Sequence, residues 1–168
     1  MFEKNITFIG MPGAGKSTVG VVVAKLLCKT FIDADLLIQN KEGKRLSKII
    51  EEVGNEGFLK IENDILSNIN VHNSVISTGG SAIFGTEAME HLKKTSTVIY
   101  IKVPFQILEK RLRNLKRRGV ILEEGQTLKD VFDLRTPLYE KYADIVIEAD
   151  NDMDIQDTAI KIAELFEK

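Results

Sequence analysis

Gly10-Met11-Pro12-Gly13-Ala14-Gly15-Lys16-Ser17 fits the pattern G-x-x-x-x-G-K-[ST] at every defined position. Its flanks fit as well. Ile6-Thr7-Phe8-Ile9 reads as a buried strand ending at Gly10, and Ser17 to Leu27 carries Val19, Val22, Val23, Leu26 and Leu27 at helical spacing. A triphosphate must be wrapped by backbone N–H groups, so such a loop needs glycines where a β-carbon would obstruct close approach. The helix that follows aims the positive end of its dipole at the phosphates. Lys16 brings charge to the β- and γ-phosphates, and the Ser17 hydroxyl is suited to Mg²⁺. The nucleotide is therefore expected on Gly13, Ala14, Gly15, Lys16, Ser17 and Thr18. The plainer reading, a glycine-rich turn with no ligand, needs the loop pattern and both flanks to coincide by chance.

Outward from this loop, short β-branched or aromatic runs alternate with longer amphipathic stretches, the pattern of a parallel sheet with helices on both faces. Phe31-Ile32, Val75-Ile76-Ser77, Thr97 to Ile101 and Asp144 to Ile147 read as further strands. Helices are expected near Leu36 to Lys41, from Ser47, over Gly57 to Ile69, from Pro104 towards Leu112, from Thr127 with Asp130 as a helix start, and over Ile155 to Phe166. The polar stretch from Arg113 to Gly125 interrupts this alternation, and the family resemblance given below implies that it acts as a lid.

Composition narrows the choice of function. At 168 residues the chain predicts one domain, spanning 1–168, with little room for a motor or transport module. Lys+Arg 23 against Asp+Glu 25 leaves a net charge of −2, with no basic excess to argue for nucleic acid or an anionic membrane. One cysteine, Cys28, excludes an internal disulfide and a thiolate metal site; it is expected to be a small packed residue, with His72 and His91 at the surface. The opening residues lack the basic-then-apolar order of a signal peptide, and the apolar run Val21 to Leu27 is broken by Lys25, far short of the ~20 residues of a membrane helix. A cytoplasmic monomer is expected. Without an Asn-Lys-x-Asp guanine-reading motif, a kinase for a small acceptor is favoured over a GTPase.

The acceptor side falls after the second and third strands, where the C-terminal ends of a parallel sheet form a crevice. Asp33-Ala34-Asp35 places two carboxylates two residues apart, so on an extended segment both face one site; a helix N-cap with a solvated acid is the plainer alternative. Ser77-Thr78-Gly79-Gly80-Ser81 is a second glycine turn, able to offer amides to a substrate. Together these features resemble the shikimate kinase family, among the nucleoside-monophosphate-kinase-like P-loop proteins. Its pattern adds a Phe-Arg-x-x-Glu helix, a Gly-Gly-Gly turn, an Arg-Pro-Leu-Leu lid and an Arg-x-Pro-Leu-Tyr segment. Here these regions read Phe58-Leu59-Lys60-Ile61-Glu62, Gly79-Gly80-Ser81, Arg118-Gly119-Val120-Ile121 and Arg135-Thr136-Pro137-Leu138-Tyr139.

The resemblance implies a three-layer α/β/α fold with a five-stranded parallel sheet of order 2-3-1-4-5, substrate-binding helices over about 35–70, and transfer of the γ-phosphoryl of ATP to shikimate. It implies Asp33 in the Mg²⁺ shell and Asp35 on the acceptor hydroxyl, taking its proton. Arg118 (or Arg117 beside it) would close over the transferring phosphate, Arg135 would grip the substrate carboxylate, and Arg111 would stack near adenine. Gly79, Gly80 and Ser81 would line the acceptor.

The chain departs from the pattern at three places. Leu59 stands where the family has a second carboxylate-binding arginine, and Lys60 beside it is turned ~100° away on a helix. Ser81 replaces the third glycine, and Gly119-Val120 replaces Pro-Leu. Two of these changes fall in the acceptor pocket and none in the phosphate loop. Another sugar or polyol acid (gluconate-like) or a nucleoside monophosphate is the alternative acceptor, and an ATP-binding module without turnover is the alternative from another class.

Overall fold

The computed structural model describes residues 4–112, 121–149 and 154–167. Five strands, β1 (Asn5–Ile9), β2 (Thr30–Asp33), β3 (Ser74–Ser77), β4 (Ser96–Lys102) and β5 (Ile145–Glu148), form one sheet of order β2-β3-β1-β4-β5. Every pairing is parallel: Ile6 lies opposite Val75 on one side and Thr97 on the other. The order and direction are those the resemblance implied. The central strand β1 is buried along its whole length, which explains why it reads as a near-continuous apolar run rather than an alternating one.

Among the described residues seven helices flank the sheet: α1 (Lys16–Leu26), α2 (Ala34–Glu42), α3 (Leu46–Ser67), α4 (Thr86–Thr95), α5 (Phe105–Arg111), α6 (Leu128–Tyr142) and α7 (Ile155–Glu164), with α1 packed on α7 and α3 on α4. The main core joins Ile6, Phe8, Ile76, Val98 and Ile99 of the sheet to Val23, Leu92, Leu108 and Ile162 of the helices. A smaller cluster of Ile38, Ile49, Phe58 and Ile121 lies under α2 and α3.

Residues read as two helices, one from Ser47 and one from Gly57, are the two arms of α3. They meet at Gly54, whose φ of 73° and ψ of 177° break the helix in a region that only glycine enters at low cost. At the start of α6, Thr127 and Asp130 form a reciprocal capping box.

Two corrections concern local structure. No helix is expected over 86–95 from the sequence, yet α4 occupies it, burying Ala88, Met89 and Leu92 with Glu87 in its first turn and Lys93 and Lys94 in its last. Cys28, expected to be packed, is exposed at φ 53°, because it follows the end of α1 in a turn towards β2. Of the described residues, none belongs to a helix long and apolar enough to cross a membrane.

Candidate active site

The C-terminal end of β1 runs into the glycine loop, and Gly13 and Gly15 adopt φ values of 78° and 91°. These left-handed conformations let consecutive amides turn inward, and Gly15 becomes the N-cap of α1 without a side chain in the way. Lys16 is buried, and its Nζ donates to the carbonyls of Gly10 at 2.7 Å and Met11 at 2.9 Å. Burial lowers its pKa to about 8, with the Asp35 carboxylate pulling in the opposite direction.

Ser17, next in the loop, donates from Oγ to Asp33 Oδ2 at 2.6 Å and lies 3.1 Å from Ser77 Oγ. Asp33 closes β2 and also caps α2, its Oδ1 accepting from the amides of Asp35 and Leu36. Thus the helix-cap role and the role beside the loop serine belong to the same side chain, one oxygen each. Asp35 lies in the first turn of α2 rather than on an extended segment, but it still faces the cavity before the loop. Burial raises its pKa, the neighbouring Asp33 raises it further, and Lys16 opposes both.

That cavity holds about 350 Å³ between the phosphate loop (Pro12, Gly13, Gly15, Lys16, Ser17 and Thr18) and a wall of Asp35, Leu46, Phe58, Glu62 and Thr78 to Ser81. The second glycine turn is pinned at both ends. Thr78 donates through N and Oγ1 to the Phe8 carbonyl of β1, and Tyr139 Oη donates to the Gly80 carbonyl at 2.5 Å. Its glycines are there for space: a Cβ on Gly80 would lie 2.5 Å from Pro12 Cδ, and one on Gly79 would lie 2.5 Å from Glu62 Oε1 and 3.1 Å from Asp35 Oδ1.

Glu62 was quoted in the sequence only as part of a pattern, with no role of its own. It is 1% exposed; Oε2 accepts from Ser81 Oγ at 2.6 Å, and Oε1 has no hydrogen-bond partner among the described residues. Burial raises its pKa to about 7; Ser81 opposes this, Asp35 adds to it, and Arg135 and Lys16 counter it. A lone acid on the buried face of an amphipathic helix was the signal available for it.

The remaining candidates are distributed as follows. Arg111 donates to the carbonyl of Gly13, against the outer side of the loop. Arg135 is buried over the ring of Phe84, with its Nη2 on the Ile121 carbonyl at 3.1 Å. It lines a neighbouring cavity of about 210 Å³ together with Leu59, instead of the one that holds Asp35. Lys60 is exposed and lines neither cavity, as its angular offset from Leu59 requires. Arg118, its alternative Arg117, and Gly119-Val120 lie outside the described residues.

A phosphate loop after the central strand, with acids after the second strand and a glycine turn after the third, defines a P-loop kinase of the small-molecule type. The shikimate kinase family matches residues 12–166. The chain is 36% identical to a shikimate kinase of Pasteurella multocida over 88% of this chain and 87% of that one, and 38% identical to one of Nitrosospira multiformis over 86% and 76%. The structure of the shikimate kinase of Acinetobacter baumannii in complex with shikimate superposes with a TM-score of 0.88 at 34% identity, covering 97% of this chain and 92% of that one. The chain belongs to the shikimate kinase family, whose members are phosphotransferases acting on a hydroxyl group.

Proposed function

We propose that this protein transfers the γ-phosphoryl of ATP to a hydroxyl of shikimate, giving ADP and shikimate 3-phosphate. The observation that carries the reading is the convergence of Lys16, Ser17 and Asp35 on one cavity facing the Gly79-Gly80-Ser81 turn. The loop amides and Lys16 hold and neutralise the phosphates, and Asp35 accepts the proton of the attacking hydroxyl. Burial supports that role, since it makes Asp35 a stronger base than an ordinary aspartate. Phosphoryl transfer asks for positioning and electrostatics more than covalent help, and these groups supply both. By the family resemblance Arg118 adds charge at the transferring group from the lid, Arg111 meets the adenine end of ATP, and Arg135 holds the substrate carboxylate.

Ser17 Oγ and Asp33 Oδ2 offer hard oxygen donors of the kind Mg²⁺ prefers, and Mg²⁺ takes few protein ligands, completing its shell with water and phosphate. Those two residues would hold it, and when bound it offsets phosphate charge. A monomeric, cytoplasmic enzyme completes the reading; size-exclusion chromatography tests its first half and cell fractionation its second.

The test is a coupled assay with ATP, Mg²⁺ and a panel of shikimate, gluconate, other sugar acids and nucleoside monophosphates. Shikimate is expected to exceed every other acceptor in kcat/KM by at least about tenfold, a margin of roughly 1.4 kcal/mol. ATP binding with no phosphorylated product across the panel would instead mark a module without turnover. A second reading, a related acid as the preferred acceptor, is favoured by one observation: Leu59 puts an apolar side chain beside Arg135 where the family pattern has arginine. In that case Leu59→Arg improves shikimate use, and an unchanged kcat/KM counts against it.

A further inference from the structure

We propose that Asn55 is a positioning residue for the acceptor: it holds the chain at Ile121 and Leu122 where the Ile121 carbonyl aims the Arg135 guanidinium at the substrate carboxylate. The inference rests on the function proposed above, including the role given there to Arg135, and extends it to a side chain with no assigned part in it.

The geometry leads there in three steps. Arg135 is 3% exposed, and its Nη2 donates to the Ile121 carbonyl at 3.1 Å. A guanidinium is a planar fork, so fixing one N–H fixes the direction of the others. The Ile121 carbonyl, however, lies in no helix or strand; residues 121–127 precede α6 without regular structure, and no ladder of backbone hydrogen bonds places them. Side chains hold this segment instead. Ile121 packs in the smaller core cluster with Ile38, Ile49 and Phe58, and Asn55 Nδ2 donates to the Leu122 carbonyl at 3.1 Å, across 67 positions of sequence. Asn55 directly follows Gly54, so the arm of α3 that brings Phe58 to the acceptor cavity also carries this latch.

Leu59, one turn further along the same arm, makes the aim of Arg135 matter more. Leu59, Asn55 and Arg135 line one cavity of about 210 Å³, and Arg135 is the single cation among the described residues of its wall. With no second cation to share a carboxylate, a misdirected guanidinium is not compensated.

The test compares kcat/KM for shikimate and for its analogue with the carboxylate reduced to a hydroxymethyl group. It uses the wild-type chain, Asn55→Ala and Asn55→Leu; leucine nearly keeps the size of asparagine without the donor, and decides the matter if Asn55→Ala does not fold. Where the analogue is not turned over, its inhibition constant against shikimate takes the place of kcat/KM. Hydrogen bonds between charged groups predict a wild-type preference for shikimate of at least about tenfold. In the variants that preference should fall roughly three- to tenfold, the worth of one hydrogen bond, through a higher KM for shikimate and an unchanged KM for ATP. A purely structural role for Asn55 would lower both acceptors equally. An unchanged ratio, or an equal rise in KM for ATP, overturns the inference while leaving shikimate phosphorylation intact. A wild-type chain indifferent to the carboxylate removes the role of Arg135 and this inference with it, and one that does not phosphorylate shikimate overturns the proposed function itself.

Discussion

Lys16 donates two of its three N–H bonds to the carbonyls of Gly10 and Met11 in its own loop, which leaves the third for a phosphate oxygen. Removing the ammonium leaves the loop amides but not the charge: Lys16→Ala is expected to lower kcat/KM by about two to three orders of magnitude in the coupled assay, in line with losing one electrostatic stabiliser of the transition state. Glu62 gives a pH signature of its own. Burial pushes its pKa up to about 7 from an ordinary value of 4.5; Ser81 opposes the shift, Asp35 adds to it, and Arg135 and Lys16 oppose it. Between these values the unfolded chain releases the proton while the folded one keeps it, so this group's contribution to stability is full below about pH 4.5 and is lost towards pH 7. Urea unfolding of wild type and Glu62→Gln at pH 5 and pH 7.5 should show a smaller decline in the variant; parallel declines would contradict the assignment. At this scale the placement of Lys16 and Ser17 at the end of the loop was legible, because a fixed local spacing encodes it. The placement of Arg135 against Ile121 and Phe84 was not, since no local pattern specifies which of two adjacent cavities a long side chain enters.

Helix α3 contributes three side chains to the cavity wall, and its break is encoded by one residue. Leu46 lies on the first arm, Phe58 and Glu62 on the second, and Gly54 sets the angle between them. Gly54→Ala forces a side chain into a conformation that costs of order 1–3 kcal/mol. The expected result is a lower urea midpoint and a larger rise in KM for the acceptor than for ATP; equal changes in both would argue against a special role for the bend. Helix α6 shows the opposite economy, a strong local start at Thr127 and Asp130 that was readable from two residues. Helix α4 was not legible, because its start has no side-chain cap, although Ala88, Met89 and Leu92 carry the helical spacing. Its burial against α3 and β4 shows that tertiary packing, more than any cap, defines it: Gly85 caps it without a side-chain bond.

Across the whole molecule, the order β2-β3-β1-β4-β5 makes the three site-bearing strands neighbours, so the Asp33 end, the glycine turn and the phosphate loop open at one edge of the sheet. This adjacency follows from the family resemblance and not from periodicity, which identified strands but cannot order them. A ligand that binds only this assembled edge stabilises the fold by mass action, by about 2.7 kcal/mol at a hundred times its dissociation constant. For a domain of this size that corresponds to roughly 5–10 °C in melting temperature. Differential scanning fluorimetry with ADP and Mg²⁺ should show such a rise for wild type and little for Lys16→Ala; no rise in wild type would sink the nucleotide assignment.

The Tyr139 hydroxyl ties down Gly80, its ring packs in the same core as Met11, and Gly80 lies so near the phosphate loop that a Cβ there would meet Pro12. Donor and acceptor halves of the reaction are therefore bolted together at a single seam. A methyl group introduced at Gly80, nominally an acceptor-side change, should announce itself in how the enzyme grips its nucleotide, because it would be forced against Pro12 of the loop.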